Sequence, residues 1–185
     1  MKGDAIETFM TLAGQKTNTD LEQSSPELKK LGAQLLLSEV LEYVIKGLGV
    51  TPVVNGQKIE KPDALDYLCD DNSAINKTEA LDGLCDTAYT MYWNMYAFGF
   101  QLEDAFKAVC DNNLEKFVLL ENWHGTQGSL AKDQWSLGSD ISWPVEVEDV
   151  SVVKVKESYY AVGKDGRGKV RKPSTYKSVN LSAFL

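Results

Sequence analysis

The sequence predicts an all-α fold, a bundle of four to five helices followed by a short β-rich C-terminal extension. Three observations carry this. Apolar residues recur at helical spacing from Leu31 to Leu48, capping signals bracket such runs, and alternating valines and tyrosines arrive only after Val150. The 185 residues fit one domain, or one domain with an appendage, at ~150 residues per domain. The predicted division is a helical domain over 1–124 and an extension over 125–185 with a β-hairpin and a basic tail.

Ala5 to Ala13 reads as a first helix ending near Gly14. Ser24 and Ser25 before Pro26 and Glu27 give the next start, an N-cap with proline in the first turn. Leu31, Leu35, Leu36, Leu37, Val40, Leu41, Val44, Ile45 and Leu48 then carry a helix over 26–47, ended by Gly47 and Gly49. Residues 50–77 form an insertion. Within it Asn55-Gly56 between short apolar runs predicts a hairpin, and Pro62 with the Asp70-Asp71-Asn72-Ser73 cluster predicts a loop around one short helical turn. Thr78 is placed to cap a third helix that runs to Phe98 and stops at Gly99. A fourth helix is expected over about 101–121, and Val150–Val155 and Tyr159–Val162 read as strands.

With 43% hydrophobic residues the chain has enough apolar side chains for a core. Its longest aliphatic run, Leu35-Leu36-Leu37, is far short of the ~18 residues of a membrane span. Met1-Lys2-Gly3-Asp4 does not lead into a secretory signal, so a cytoplasmic protein is expected. Net charge is −8, from 19 basic and 27 acidic residues, which disfavours duplex nucleic acid as a partner. Charge is unevenly spread: Lys154 to Lys177 holds eight basic residues against two acidic ones. An acidic body with a basic tail suits a site for metal ions and an anionic substrate, and equally a plain solvated tail. Cys69, Cys85 and Cys110 show no CxxC spacing, as free thiols of a reducing compartment do.

The acids are the candidates for chemistry. At ~100° per residue Glu39 and Glu42 share one face of the second helix, and Glu79, Asp82 and Asp86 share an arc of the third. Converging carboxylates repel unless a cation lies between them, and oxygen-only ligands suit Mg²⁺ or Mn²⁺. Each also has an ordinary reading. Glu42 stands four residues before Lys46, and Glu79 and Asp82 favour the dipole of their helix start. His124 is the single histidine, which leaves little for a triad or histidine-rich metal site. Gly163-Lys164-Asp165-Gly166-Arg167-Gly168 lacks the strand-to-helix setting of a phosphate loop and reads as a turn.

The order of the pieces adds a resemblance. Leu37-Ser38-Glu39-Val40-Leu41-Glu42, then Glu79-Ala80-Leu81-Asp82-Gly83-Leu84-Cys85-Asp86-Thr87-Ala88-Tyr89, then Ala97-Phe98-Gly99 and Ala105-Phe106, resembles the all-α nucleoside triphosphate pyrophosphohydrolases. This is the MazG-like superfamily, which includes phosphoribosyl-ATP pyrophosphohydrolase. Val109-Cys110-Asp111-Asn112-Asn113-Leu114-Glu115-Lys116-Phe117 is similar to the segment whose Asn and Lys contact substrate phosphates there. Gly168-Lys169-Val170-Arg171-Lys172-Pro173-Ser174-Thr175-Tyr176 resembles the GKxxKPxxY tail of its phage and bacterial branch.

The resemblance implies a hydrolase cleaving a ribo- or deoxynucleoside triphosphate between the α- and β-phosphates. Glu39, Glu42, Asp82 and Asp86 would ligate magnesium (or manganese), and Glu79, with Glu39 and Glu42, would serve the catalysis. Asn113, Lys116, Lys169, Lys172 and Trp93 would hold the substrate. It further implies a homodimer or homotetramer in the cytoplasm, the host's if the gene is a phage's. Two positions depart from the pattern. Ser38 stands where EExxE has its first Glu, and Gly83 stands at the Glu position when Asp86 is read as the ExxD acid. The alternatives are a nucleotide-binding or interaction protein without hydrolysis, and phosphoribosyl-ATP pyrophosphohydrolase itself.

Overall fold

In the computed structural model residues 3–17, 19–70 and 75–185 are described. Helix α1, Asp4–Ala13, ends where Gly14 turns left-handed at φ 73° and the Gln15 amide reaches back to the Met10 carbonyl. Helix α2, Pro26–Glu42, starts as its sequence dictates, with the Ser25 hydroxyl accepting from the Leu28 amide and Pro26 in the first turn. A π-helical turn, Tyr43–Gly47, closes it. Strands β1, Val53–Val54, and β2, Gln57–Lys58, form the expected hairpin. Its turn needs positive φ at both central positions, and Asn55 and Gly56 supply 50° and 78°. Helix α3, Lys77–Phe98, and helix α4, Leu102–Leu114, follow, with Gly99 at φ 71° between them. Strands β3, Val118–Leu119, β4, Gly128–Ser129, β5, Val147–Val155, and β6, Ser158–Asp165, complete the order.

The chain groups into two units, Thr19–Cys85 and the combination of Met1–Asn18 with Asp86–Leu185. In the larger unit an antiparallel sheet of order β3-β6-β5-β4 is covered on both faces. One face buries Val162 with Leu12 of α1 and Phe117, joined by Phe9, Val153, Val155 and Tyr160. The other buries Val147, Val150 and Ala161 beneath Trp135, Leu137 and Trp143. Alternation explains the split, because Ala161 and Val162 point to opposite faces. A register shift between Val147 and Asp149 turns Val147 to the face of Val150. In the smaller unit Leu41 is buried, while Leu31, Leu35, Leu36, Leu37 and Val40 of α2 remain exposed, as do Leu81 and Leu84 of α3.

The fold is therefore mixed α and β, and the all-α bundle expectation is wrong. The sheet that was expected to be a minor extension buries five of the valine and alanine positions in the core, whereas the apolar faces a bundle would bury are solvated. Helix α4 is also shorter than expected. Its last turn tightens through Lys116 and Phe117 amides bonded three residues back, and Val118-Leu119 leaves to pair with Ala161 and Tyr160 of β6. The third helix is capped by Asn76, not Thr78: the Asn76 Oδ1 accepts from the Thr78 and Glu79 amides at 3.1 and 3.2 Å. Near Pro62 there is a single turn, the Ala64 amide bonding the Lys61 carbonyl. Asp71, Asn72 and Ser73 of the predicted loop lie outside the described residues. Among those described, no helix is long and apolar enough to cross a membrane.

Candidate anion-binding site

The last turn of α4 and the chain after β6 meet in one corner of the larger unit, and Asn112 ties them together. Its buried side chain donates to Glu115 Oε2 at 3.1 Å and to the Lys177 carbonyl, and accepts from the Tyr176 hydroxyl at 2.7 Å. A buried amide with its donors and acceptor used is a strong anchor. It pins residues 176–177 onto α4, and Pro173 beside them is buried.

Lys116 stands at this junction, half-buried. Its Nζ donates to Asn113 Oδ1 at 2.6 Å and lies 5.5 Å from the centre of the Phe9 ring. Burial, followed by the charges of Lys172 and Lys169, pushes the Lys116 amine below the ordinary lysine range. Lys172 in turn lies 4.4 Å over the Tyr176 ring. Among the described residues no carboxylate pairs with Lys116, Lys169 or Lys172. Lys116 thus feels the charges of Lys172 and Lys169 with no carboxylate paired to any of the three, and an anion beside such a set lowers the energy.

The loop bearing two of these lysines is built on Asp165, at the end of β6. Its Oδ1 accepts from the Arg167 and Lys169 amides at 3.0 and 2.9 Å, and its Oδ2 from Arg171 Nε at 3.0 Å and NH2 at 2.7 Å. The Lys169 amide bond first, then those of Arg167 and Arg171, hold the Asp165 carboxyl below the usual carboxylate range.

The acids singled out by the sequence are placed differently. Glu39 is exposed on α2, and Glu42 is exposed and paired with Lys46 at 3.0 Å. Glu79 lies in the capped first turn of α3, and Asp82 and Asp86 are exposed further along it. Among the described residues, no three of His, Cys, Asp and Glu gather as a metal would require. Trp93 is 59% exposed, edge-on to Phe98 at 6.5 Å, and is not part of the lysine corner's hydrogen-bonded framework.

Sequence reasoning missed two groups. Asn112 and Asp165 were read as parts of a motif and of a turn, though an acid set among Lys164, Arg167, Lys169 and Arg171 is itself a signal of neutralisation. A cavity of about 460 Å³ also went unforeseen. It is lined by Asp4, Glu103, Asp104, Asp111, Phe106 and Cys110, among others, and burial raises the Cys110 thiol above its ordinary value. Comparison with known protein families, with curated proteins and with solved structures finds no match for this chain.

Proposed function

We propose that the protein binds the phosphate chain of a nucleoside triphosphate on Lys116, Lys169 and Lys172, with Asn113 orienting Lys116. The observation that supports this is the corner of three unpaired ammonium groups, one of them half-buried and already short of water. Such a group gains more from a polyanion than an exposed lysine does, because its own hydration has been lost. The ligand needs several negative charges at short spacing, and a triphosphate supplies them.

Cleavage between the α- and β-phosphates, giving a nucleoside monophosphate and pyrophosphate, is the reaction to which Glu39, Glu42, Glu79, Asp82 and Asp86 point. Mg²⁺ or Mn²⁺ and an assembly of identical copies belong to that reading. Among the described residues these acids form no group of three that could hold a metal within one chain. A second reading is nucleotide binding without hydrolysis, to which Ser38 and Gly83 lean.

A panel of ribo- and deoxynucleoside triphosphates with Mg²⁺ separates them, products being resolved as monophosphate plus pyrophosphate or diphosphate plus phosphate. Pyrophosphate release by the wild type, lost in Glu39→Gln and Asp86→Asn, establishes the hydrolase. Stabilisation by nucleotide without turnover leaves the binding protein. Neither binding nor turnover overturns both readings.

A further inference from the structure

A loop carrying Arg167, Lys169, Arg171 and Lys172 within six positions repels itself, and left alone it would spread into solvent. Here it is folded tightly instead. The Asp165 amide bonds the Lys169 carbonyl at 3.0 Å, the Gly168 amide bonds the Asp165 carbonyl at 2.8 Å, and the Arg171 amide bonds the Gly163 carbonyl at 2.9 Å. Gly168 supplies the left-handed φ of 77° that the turn needs. Lys164 and Val170 make a bridge alongside.

At the centre lies one carboxylate, only 8% exposed. Its two oxygens divide the work. Oδ1 takes two backbone amides, including that of Lys169, and Oδ2 takes two of the three guanidinium nitrogens, Nε and Nη2, of Arg171, the residue before Lys172. Charge-assisted bonds of this kind are roughly twice as strong as neutral ones, and the two-nitrogen grip fixes direction as well as distance. Arg171 is neutralised by Asp165, so its charge is spent inside the turn. Lys169 and Lys172 keep theirs, and both are felt by Lys116.

We propose that Asp165 is the positioning residue of the anion site: by holding the Lys169 amide and the Arg171 guanidinium together, it keeps Lys169 and Lys172 beside Lys116. The ligand assigned to the site rests on the proposed function; the positioning does not. An asparagine at 165 retains one acceptor for the amides, but its NH₂ faces the guanidinium and its charge is gone, so the loop loses its centre.

Two readouts test this. The first is the titration of Lys116, followed by side-chain NMR in the wild type and in Asp165→Asn. Lys116 feels the charges of Lys172 and Lys169 from the loop, bonds Asn113 from the end of α4 and lies over the Phe9 ring from α1. Asp165→Asn is expected to raise the Lys116 titration toward ordinary lysine, and an unchanged titration overturns the proposal. The second readout is affinity for inorganic tripolyphosphate by calorimetry. Asp165→Asn is expected to weaken binding about tenfold or more, and to add no further loss in a Lys169→Met/Lys172→Met background. An equal loss in both backgrounds means a general structural role and overturns it.

If Asp165→Asn does not fold, Arg171→Gln removes only the guanidinium half of the bracket. It is expected to move both readouts in the same direction by less, and no movement overturns the proposal. A wild type that ignores tripolyphosphate defeats the proposed function, while the Lys116 titration still decides the role of Asp165.

Discussion

Lys116 and Asp165 carry opposite signs of the same linkage. The Lys116 amine is lowered on folding, so the folded state disfavours its charged form, and stability from this group rises as pH climbs from the folded value toward the unfolded ~10.4. Lys116→Met, which keeps the stem and removes the charge, is therefore expected to melt no lower than wild type at pH 7 while binding tripolyphosphate about tenfold more weakly. A clearly lower melting temperature in differential scanning calorimetry would count against this. The Asp165 carboxyl is lowered too, but for an acid that means stability present above the unfolded value, ~3.9, and lost as pH falls through the folded one. Acid unfolding of wild type and Asp165→Asn is expected to show a gap that closes below that range. A gap constant down to pH 2, read by circular dichroism, would contradict it.

Two elements invite direct tests. Gly163 on β6 lies under Trp143, and a Cβ there would meet the ring at 2.3 Å. The Trp143 indole is not free to retreat, since its Nε1 donates to the Trp135 carbonyl at 3.0 Å, while Trp135 donates to Leu130 at 3.1 Å. Gly163→Ala is expected to cost about 1–3 kcal/mol in denaturant unfolding, as overpacking does. At the start of α3, Asn76→Ala removes the acceptor of two amides and is expected to cost about 1 kcal/mol, whereas Thr78→Ala should cost much less. Here the local code was only half legible. Gly14, Ser25, Asn55-Gly56 and Gly99 each acted as their chemistry demands. Helix α4 ended early because Phe117 and Val118 found opposite faces of a sheet in which their pairing strand, β6, lies some forty residues on, a long-range reward that no local pattern displays.

At the scale of the molecule the buried apolar residues are concentrated in the larger unit. Val150, Ala161 and Val162 are wholly enclosed there, while in Thr19–Cys85 the apolar side chains of α2 stay half or more in water at Leu35. Protection from amide exchange follows buried contacts. Hydrogen exchange is expected to be slowest at Val150, Val152, Ala161 and Val162 and orders of magnitude faster along α2. Equal protection on α2 at micromolar concentration, falling on dilution, would instead mean that other copies cover it. The candidate anion site lies wholly in the larger unit, where Asn112 holds residues 176–177 against α4 and Asp165 holds the loop of Lys169 and Arg171.

The sequence by itself determined the local events: where α1, α2 and α3 begin or end, the hairpin at Asn55-Gly56, and an acidic body with a basic tail. These depend on backbone conformation and charge, which a few neighbouring residues set. Only the tertiary structure decided that a sheet rather than a helical bundle holds the core, that Asn112 ties residues 176–177 to α4, and that Asp165 folds the basic loop after β6. Those outcomes turn on which apolar surfaces meet across long stretches of chain, and helical spacing on α2 and α3 says that a face exists without saying what covers it.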